Sequence, residues 1–357
     1  MGENKRARIG IAFGGRSDEH DVSIMSATNA VAALDPQKYD AVPIFITRDG
    51  RWLLSQFNSG ELSLPTDGPL LSLIPGDKGR LIALDPAGTI EELAPLDALF
   101  PVLHGLFGED GSIQGAAEVA RVPLVGCGIL GSAVALDKRI AKQLLLGAGL
   151  PAARSETITP RHVPNFETLA EKLGLPLFIK PARQGSSVGV SKVTSAADYQ
   201  AAVTTGFKHD SLLLAEEFIE GREIECSVLE GADGSIFVSR PGEIVPAESH
   251  GFYSYEAKYI DADGAIIKVP AELPEAIERD MRQMAETAFR ALGCDSMARV
   301  DFFVTADFRL LVNEVNTIPG FTDISMYAKA MAASGVPYAE VIDRLIAHGL
   351  ARAATGA

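Results

Sequence analysis

The chain has 357 residues, 47% hydrophobic and 22% charged, an ordinary globular balance with material for two or three domains. Its net charge of -15 argues against nucleic acid or an anionic membrane surface as a partner. Three widely spaced cysteines, Cys127, Cys226 and Cys294, fit neither a disulfide framework nor a CxxC metal site, so buried thiols in a reducing, cytoplasmic setting are expected.

The first stretch, "MGENKRARIGIAFGG", has an apolar run too short for a signal sequence or a spanning helix and reads as a strand. Ile24, Ala27, Val31 and Leu34 follow at helical spacing. "AVPIFIT" and "LDALFPVLHG" read as strands, and "GSIQGAAEVARV" as a helix. Strands alternating with helices predict a parallel, wound α/β sheet. Its ligand is expected at the loops Gly14 to Asp21 and His104 to Gly111, which leave the carboxyl ends of strands.

"GCGILG", residues 126–131, matches the dinucleotide fingerprint G-x-G-x-x-G. The acidic residue wanted about 20 positions later is absent, so a turn between units is the better reading. A helix is predicted from Asp137, with Ile140 and Leu144 facing inward, ending near Gly147 and Gly149. "LPLFIKP", "SVGVSKV", "SLLLAEEFI" and "REIECSVLEG" then read as strands. A long helix follows from Pro274, with Ile277, Met281, Met284 and Ala288 inward. These shifts suggest units at 1–134, 135–217 and 218–357.

No Gly-Lys pair exists, which excludes a Walker A loop. "KPARQGSSVGVSKV", residues 180–193, offers Gly185, Ser186, Ser187 and Gly189 as a flexible loop able to fold over phosphate, with Lys180 and Lys138 as point charges. A plain turn and a snorkelling lysine are the competing reading.

Near the C-terminal end, "MARVDFFV" and "RLLVNEVN" flank a "TADF" turn and predict a hairpin. Strict alternation puts Arg299 and Asp301 on one face, and Glu314 and Asn316 on the face of Leu310. Across the turn, Asp301 falls opposite or diagonal to Val312 and Glu314. Asp301, Glu314 and Asn316 form an oxygen-only set suited to Mg²⁺ with nucleotide phosphates, or else an ion-paired structural cluster around Arg299.

Taken together, "GGRSDEHDVSIMSA", "LHGLFGEDGSIQG", "LDK", "KPARQGSSVGVSKV", "FYSYEAKY", "ARVDFFV" and "NEVNTIPGFTDISMY" resemble, in order, the motifs of the ATP-grasp ligases, and within them the D-alanine-D-alanine ligases. The resemblance implies a three-domain ATP-grasp fold, α/β with α+β elements, whose N-terminal domain is a wound parallel sheet. It implies ATP as co-substrate, two Mg²⁺ ions (Mn²⁺ as the alternative), D-alanine as substrate and a homodimer.

Carried over by position, Glu19 holds the ammonium of the first D-alanine, Ser186 helps fix it, and His104 lies beside it. Lys138, Lys180 and Ser187 meet the nucleotide phosphates. Glu216, Glu217, Phe218 and Ile219 line the adenine pocket, Glu223 meets the ribose, and Asn313 joins the nucleotide contacts. Asp301, Glu314 and Asn316 coordinate metal. Arg299 and the Gly320 N–H stabilise an oxyanion, and Ser325 with Met326 receives the second substrate's carboxylate.

Residues 246–264 resemble the family's lid, with Lys258 on the nucleotide side and Tyr259, a catalytic-site residue, near the substrates. Ser254 stands where the family often has Asp, and Ala328 where it has Pro. "EAKY" favours D-alanine over D-serine or D-lactate as second substrate, by analogy.

Overall fold

The computed structural model describes residues 6–246, 265–322 and 325–355. The first sheet is built around β1 (Ala7–Gly14), buried from Ile9 onward, with β2 (Tyr39–Ile46) and β9 (Ala98–Pro101) parallel to it on either side. Parallel neighbours need a crossover. Helix α1 (His20–Ala33) supplies it between β1 and β2, and α2 (Ser112–Ala120) follows β9.

Beyond β2 the sheet turns antiparallel through β3 (Trp52–Leu54), β6 (Leu70–Leu73), β7 (Leu81–Leu84) and β8 (Ile90–Leu93). A small hairpin, β4 (Phe57–Asn58) with β5 (Glu61–Leu62), interrupts it. The sheet is therefore mixed, and the expected parallel arrangement holds for its core. These strands are too short to carry a readable alternation.

The second sheet has the order β10 (Ser155–Ile158), β13 (Leu213–Glu217), β11 (Leu177–Pro181), β12 (Ser191–Val193), all antiparallel. Two helices absent from the sequence reading, α5 (Phe166–Leu173) and α6 (Ala196–Gly206), complete its core through Leu169, Leu173, Tyr199 and Val203. Each has a side-chain cap: Asn165 Oδ1 accepts from Thr168 N at 2.8 Å, and Ser195 Oγ from Asp198 N at 3.3 Å.

The third sheet runs β17 (Ala265–Lys268), β16 (Gly242–Pro246), β14 (Arg222–Glu230), β18 (Met297–Val304), β19 (Leu310–Asn316), with β15 (Ile236–Val238) also on β14. Alternation along β14 and β18 sends Ile224, Cys226, Val228, Val300 and Phe302 into a core under the helix Glu275–Ala291, which contributes Met281, Ala285, Ala288 and Phe289. Helices α3 (Ile129–Leu136) and α4 (Lys138–Gly147) join that core.

"GCG" thus ends in the N-cap of α3, Gly128. Asp137 caps α4 by accepting from Arg139 N and Ile140 N. Leu144 is 41% exposed and Ile140 only half-buried. The inward face is Ala141, Lys142 and Leu145, because a buried ion pair claims Lys142.

One expectation about the hairpin is corrected. Asp301 pairs with Glu314, yet Phe302 pairs with Val312, so Asn313 is an extra residue in a β-bulge. The bulge inverts the alternation. Leu310, Val312 and Val315 all reach the apolar core, while Glu314 and Asn316 turn to the opposite face with Arg299 and Asp301, not to the face of Leu310.

The helix Tyr338–Thr355 returns to the first sheet, where Val341, Ile342, Leu345 and Ile346 share a core with Ile9, Ile11 and Phe13. All three cysteines are buried free thiols. Among the described residues no helix is long and apolar enough to cross a membrane.

Candidate active site

Two adjoining cavities occupy the space where the three sheets meet. The first, of about 300 Å³, lies between the second and third sheets. It is lined by Lys138, Lys180, Gly185, Ser186, Ser187, Glu216, Glu217, Phe218, Ile219, Glu223, Asn313 and Glu314. The second, of about 260 Å³, reaches the first sheet and is lined by Glu19, His104, Arg299, Glu314, Asn316, Gly320, Ser325 and Met326. Gly185, Ser186 and Glu314 line both, so a group bound in one abuts a group bound in the other.

The first cavity is organised by side-chain ion pairs. Glu216, 2% exposed, lies between Lys180 Nζ at 2.5 Å and Lys142 Nζ at 2.8 Å. Burial alone raises a carboxyl, but the two lysines outweigh it and bring Glu216 down to about 2. Lys180 is opposed by burial and still held above the ordinary lysine value by Glu216, Glu314 and Glu223.

Lys138 Nζ donates to the Gln184 carbonyl at 2.6 Å and sits 3.6 Å from Glu314, which ties it to the glycine-serine loop. Ser186 and Ser187 adopt positive φ of 49° and 60°. That geometry is uncommon outside glycine and clusters at ligand clamps.

The floor is the polar face of the third sheet. Glu225 lies opposite Asp301, and Ser227 opposite Arg299. Arg299 donates to both Asp301 oxygens at 2.7 Å and pairs with Glu225 at 2.9 Å. Burial opposes the Arg299 charge, but Asp301 and Glu225 more than offset it. Asn316 Nδ2 donates to Asp301 at 3.1 Å. Asp301 itself lines neither cavity, since Arg299 covers it.

The second cavity is organised by backbone and hydroxyl groups. Glu19 occupies the N-cap position of α1 but does not cap it; its carboxylate accepts from Ser186 Oγ. Gly105, at φ +70°, and Gly185 press on that carboxylate so closely that a Cβ at either would lie 2.8 or 2.9 Å from Oε2.

His104 Nδ1 donates to the Ile318 carbonyl at 2.9 Å, and its Nε2 meets Ser26 Oγ at 3.0 Å. Burial lowers its pKa, so the ring is neutral. Glu109 accepts from Gly105 N and Ile318 N; burial and the Glu19 charge push its carboxyl up to about 7. Ser325 is the N-cap residue of the helix Met326–Ala333, whose N-terminal end faces the cavity.

Residues 247–264, with Ser254, Lys258 and Tyr259, lie outside the described residues. The sequence reading missed four residues of the site. Glu225 was legible, two positions from Glu223 on one strand face. Lys142 had a weaker signal, one helical turn after Lys138. Ser26 and Glu109 lie within stretches singled out in the sequence, but their roles were not legible, because His104, Phe321 and Ile318, the partners that define them, are distant in sequence.

Residues 144–347 match the family model described as D-ala D-ala ligase C-terminus, and residues 8–127 the one described as D-ala D-ala ligase N-terminus. The chain belongs to the D-alanine-D-alanine ligase family. D-alanine--D-alanine ligase A of Brucella suis biovar 1 (strain 1330) is 65% identical over 347 residues, covering 97% of this chain and 98% of that one.

Among solved ligases of the family, the Coxiella burnetii enzyme superposes with a TM-score of 0.84 at 34% identity, covering 98% of this chain and 96% of its own. The Bacillus anthracis ligase complexed with ATP gives 0.74 at 27% identity, covering 98% and 100%. The mixed α/β architecture described above is that of these ATP-grasp ligases.

Metal ions, implied by the family, can be tested against the donors present. Among the described residues no three acidic, histidine or cysteine side chains gather to hold an ion. Asp301, Glu314 and Asn316 instead give two carboxylates and an amide on one face of the hairpin, with Glu314 lining both cavities, Asn316 the second, and Asp301 set behind Arg299. That set fits a hard cation which takes its remaining oxygens from nucleotide phosphates.

Proposed function

We propose that this protein joins two D-alanines into D-alanyl-D-alanine at the expense of ATP, through an acyl phosphate, for peptidoglycan precursor synthesis. The observation that carries the reading is the wall of Gly185, Ser186 and Glu314 shared by the two cavities. ATP occupies the first cavity and the amino acids the second, so the γ-phosphate and the attacking carboxylate meet at that wall.

Glu19, held by Ser186, binds the ammonium of the first D-alanine and orients its carboxylate. Lys138, Lys180 and the backbone of the Ser186–Ser187 loop spread the negative charge as a carboxylate oxygen bonds to phosphorus and ADP leaves. Asp301, Glu314 and Asn316 would hold Mg²⁺, two ions with Mn²⁺ as the alternative, and the metal would supply positive charge to offset the negative charge of the phosphates.

The free amine of the second D-alanine then attacks the acyl carbon. Its carboxylate is received at Ser325 and Met326, where the helix N-terminus favours negative charge. Arg299 and the Gly320 N–H stabilise the oxyanion until phosphate departs. The adenine sits against Glu216 to Ile219 and Asn313, with the ribose at Glu223. Lys258 serves the nucleotide and Tyr259 the substrates, both outside the described residues.

On this reading the chain comprises units 1–134, 135–217 and 218–357 and works as a cytoplasmic homodimer. Phosphate release from ATP and Mg²⁺, measured with and without D-alanine, tests the function. A well-folded sample showing no D-alanine-dependent release refutes it. Product mass with D-serine and D-lactate in competition fixes the second substrate.

A further inference from the structure

Gly320 carries an N–H that makes no hydrogen bond to any described residue and lines the second cavity beside Arg299. What aims it is not obvious from its own neighbours, since a Cβ there would meet only Ser325 Cβ, at an ordinary 3.6 Å. The constraint lies two residues earlier. Ile318 is held at both ends of its polar backbone by one loop of the first sheet: Glu109 Oε1 accepts from its N–H at 3.0 Å, and its carbonyl accepts from His104 at 2.9 Å.

Glu109 Oε2 in turn accepts from Gly105 N at 2.9 Å, so this carboxylate, 8% exposed, clips two chain segments together with both of its oxygens. Pro319 separates Ile318 from Gly320, and its ring fixes φ, so the direction set at Ile318 passes on with little slack. On the far side, Phe321 N donates to Ser26 Oγ at 3.2 Å. The turn is bracketed.

We propose that Glu109 is a positioning residue for the peptide-forming half of the reaction, its carboxylate fixing the turn that directs the Gly320 N–H toward the developing oxyanion. The inference rests on the ligase reading above. Glu109 borders the second cavity, but its two oxygens are taken by the N–H groups of Gly105 and Ile318, so in this scheme it acts through the backbone of Ile318.

The test separates the two chemical steps. Glu109→Gln keeps the shape but replaces one acceptor oxygen by an NH₂ donor facing a backbone N–H, so one of the two clips is lost. Glu109→Asp keeps both acceptors on a shorter stem. For wild type and both variants, dipeptide kcat is compared with the D-alanine-dependent migration of ¹⁸O between the β-nonbridge and β,γ-bridge positions of ATP. That migration reports reversible acyl phosphate formation alone. Binding of a fluorescent ATP analogue reports an intact nucleotide site.

The expected result for Glu109→Gln is a fall in dipeptide kcat of about tenfold or more, approaching the loss from deleting an oxyanion donor. Isotope migration and analogue binding stay within about twofold, by the same argument. Glu109→Asp falls between, and if the glutamine variant does not fold, the ratio of ligation to migration in Glu109→Asp decides. An unchanged ratio, whether both rates hold or both fall together, overturns the proposal. A wild-type enzyme with neither ligation nor migration overturns the functional reading and this proposal with it.

Discussion

The two cavities solve the same problem, burying charge, by different means. On the nucleotide side and along the third-sheet floor the two cavities share, these acids answer to a lysine or arginine: Glu216 to Lys142 and Lys180, Glu314 to Lys138, Asp301 and Glu225 to Arg299. On the substrate side Glu19 and Glu109 are met by a serine hydroxyl, backbone N–H groups and glycines. Ion pairs between mobile side chains can reopen to admit phosphates. Backbone hydrogen bonds cannot be redirected so cheaply, and they fix geometry before the substrate arrives. Changes on the first side should therefore register in stability and ATP affinity, and on the second in D-alanine handling and rate.

The strongest way to break this contrast is Arg299→Met, at the junction. Turnover should fall about 10²- to 10³-fold as an oxyanion donor disappears. Leaving Asp301 and Glu225 buried without their cation should cost about 3 to 5 kcal/mol of stability, read from urea denaturation. A stable, active Arg299→Met protein would show that neither role is real.

Next is acid. Glu216 has its folded carboxyl brought down to about 2 from an ordinary 4.5. A depressed acid contributes stability that is present above the ordinary value and lost as pH falls through the folded one. Stability should decline between about pH 4.5 and 2 by on the order of 3 kcal/mol from this group, and Glu216→Gln should flatten that slope. Stability curves that superpose would contradict the assignment.

A smaller effect is expected from Lys142→Met. It leaves Glu216 to Lys180 alone and so competes with phosphate for that lysine. KM for ATP should rise about tenfold, with KM for D-alanine unmoved, as for a hydrogen bond to a charged group worth roughly 1.5 kcal/mol or more. The smallest is Ser186→Ala, which removes one hydroxyl from Glu19. KM for D-alanine should rise severalfold, in keeping with about 1 kcal/mol per hydrogen bond, and ATP binding should hold. Were the Ser186 and Lys142 effects to exchange substrates, the contrast would be wrong.

The hairpin was legible in the sequence because β18 and β19 are long, branched and joined by a short turn, and Asp301 does pair with Glu314. What strict alternation could not supply was the bulge at Asn313, since nothing local marks which residue is the extra one. The caps of α5 and α6 were written plainly, Asn165 before "FET" and Ser195 before "AAD", but their apolar runs are short beside the strands around them. Lys142 reads as a surface lysine until Glu216 is brought beneath it by another element. Glu109 reaches across 209 positions to Ile318, a separation only the finished fold closes.

That closure has a consequence for how the protein is made. Ile9, Ile11 and Phe13 of the first sheet share their core with Val341, Ile342, Leu345 and Ile346, which are synthesised more than three hundred residues later. Vectorial synthesis favours early folding of N-terminal units. Here β1 must keep an apolar flank uncovered through more than three hundred residues of elongation before its partner helix exists to bury it.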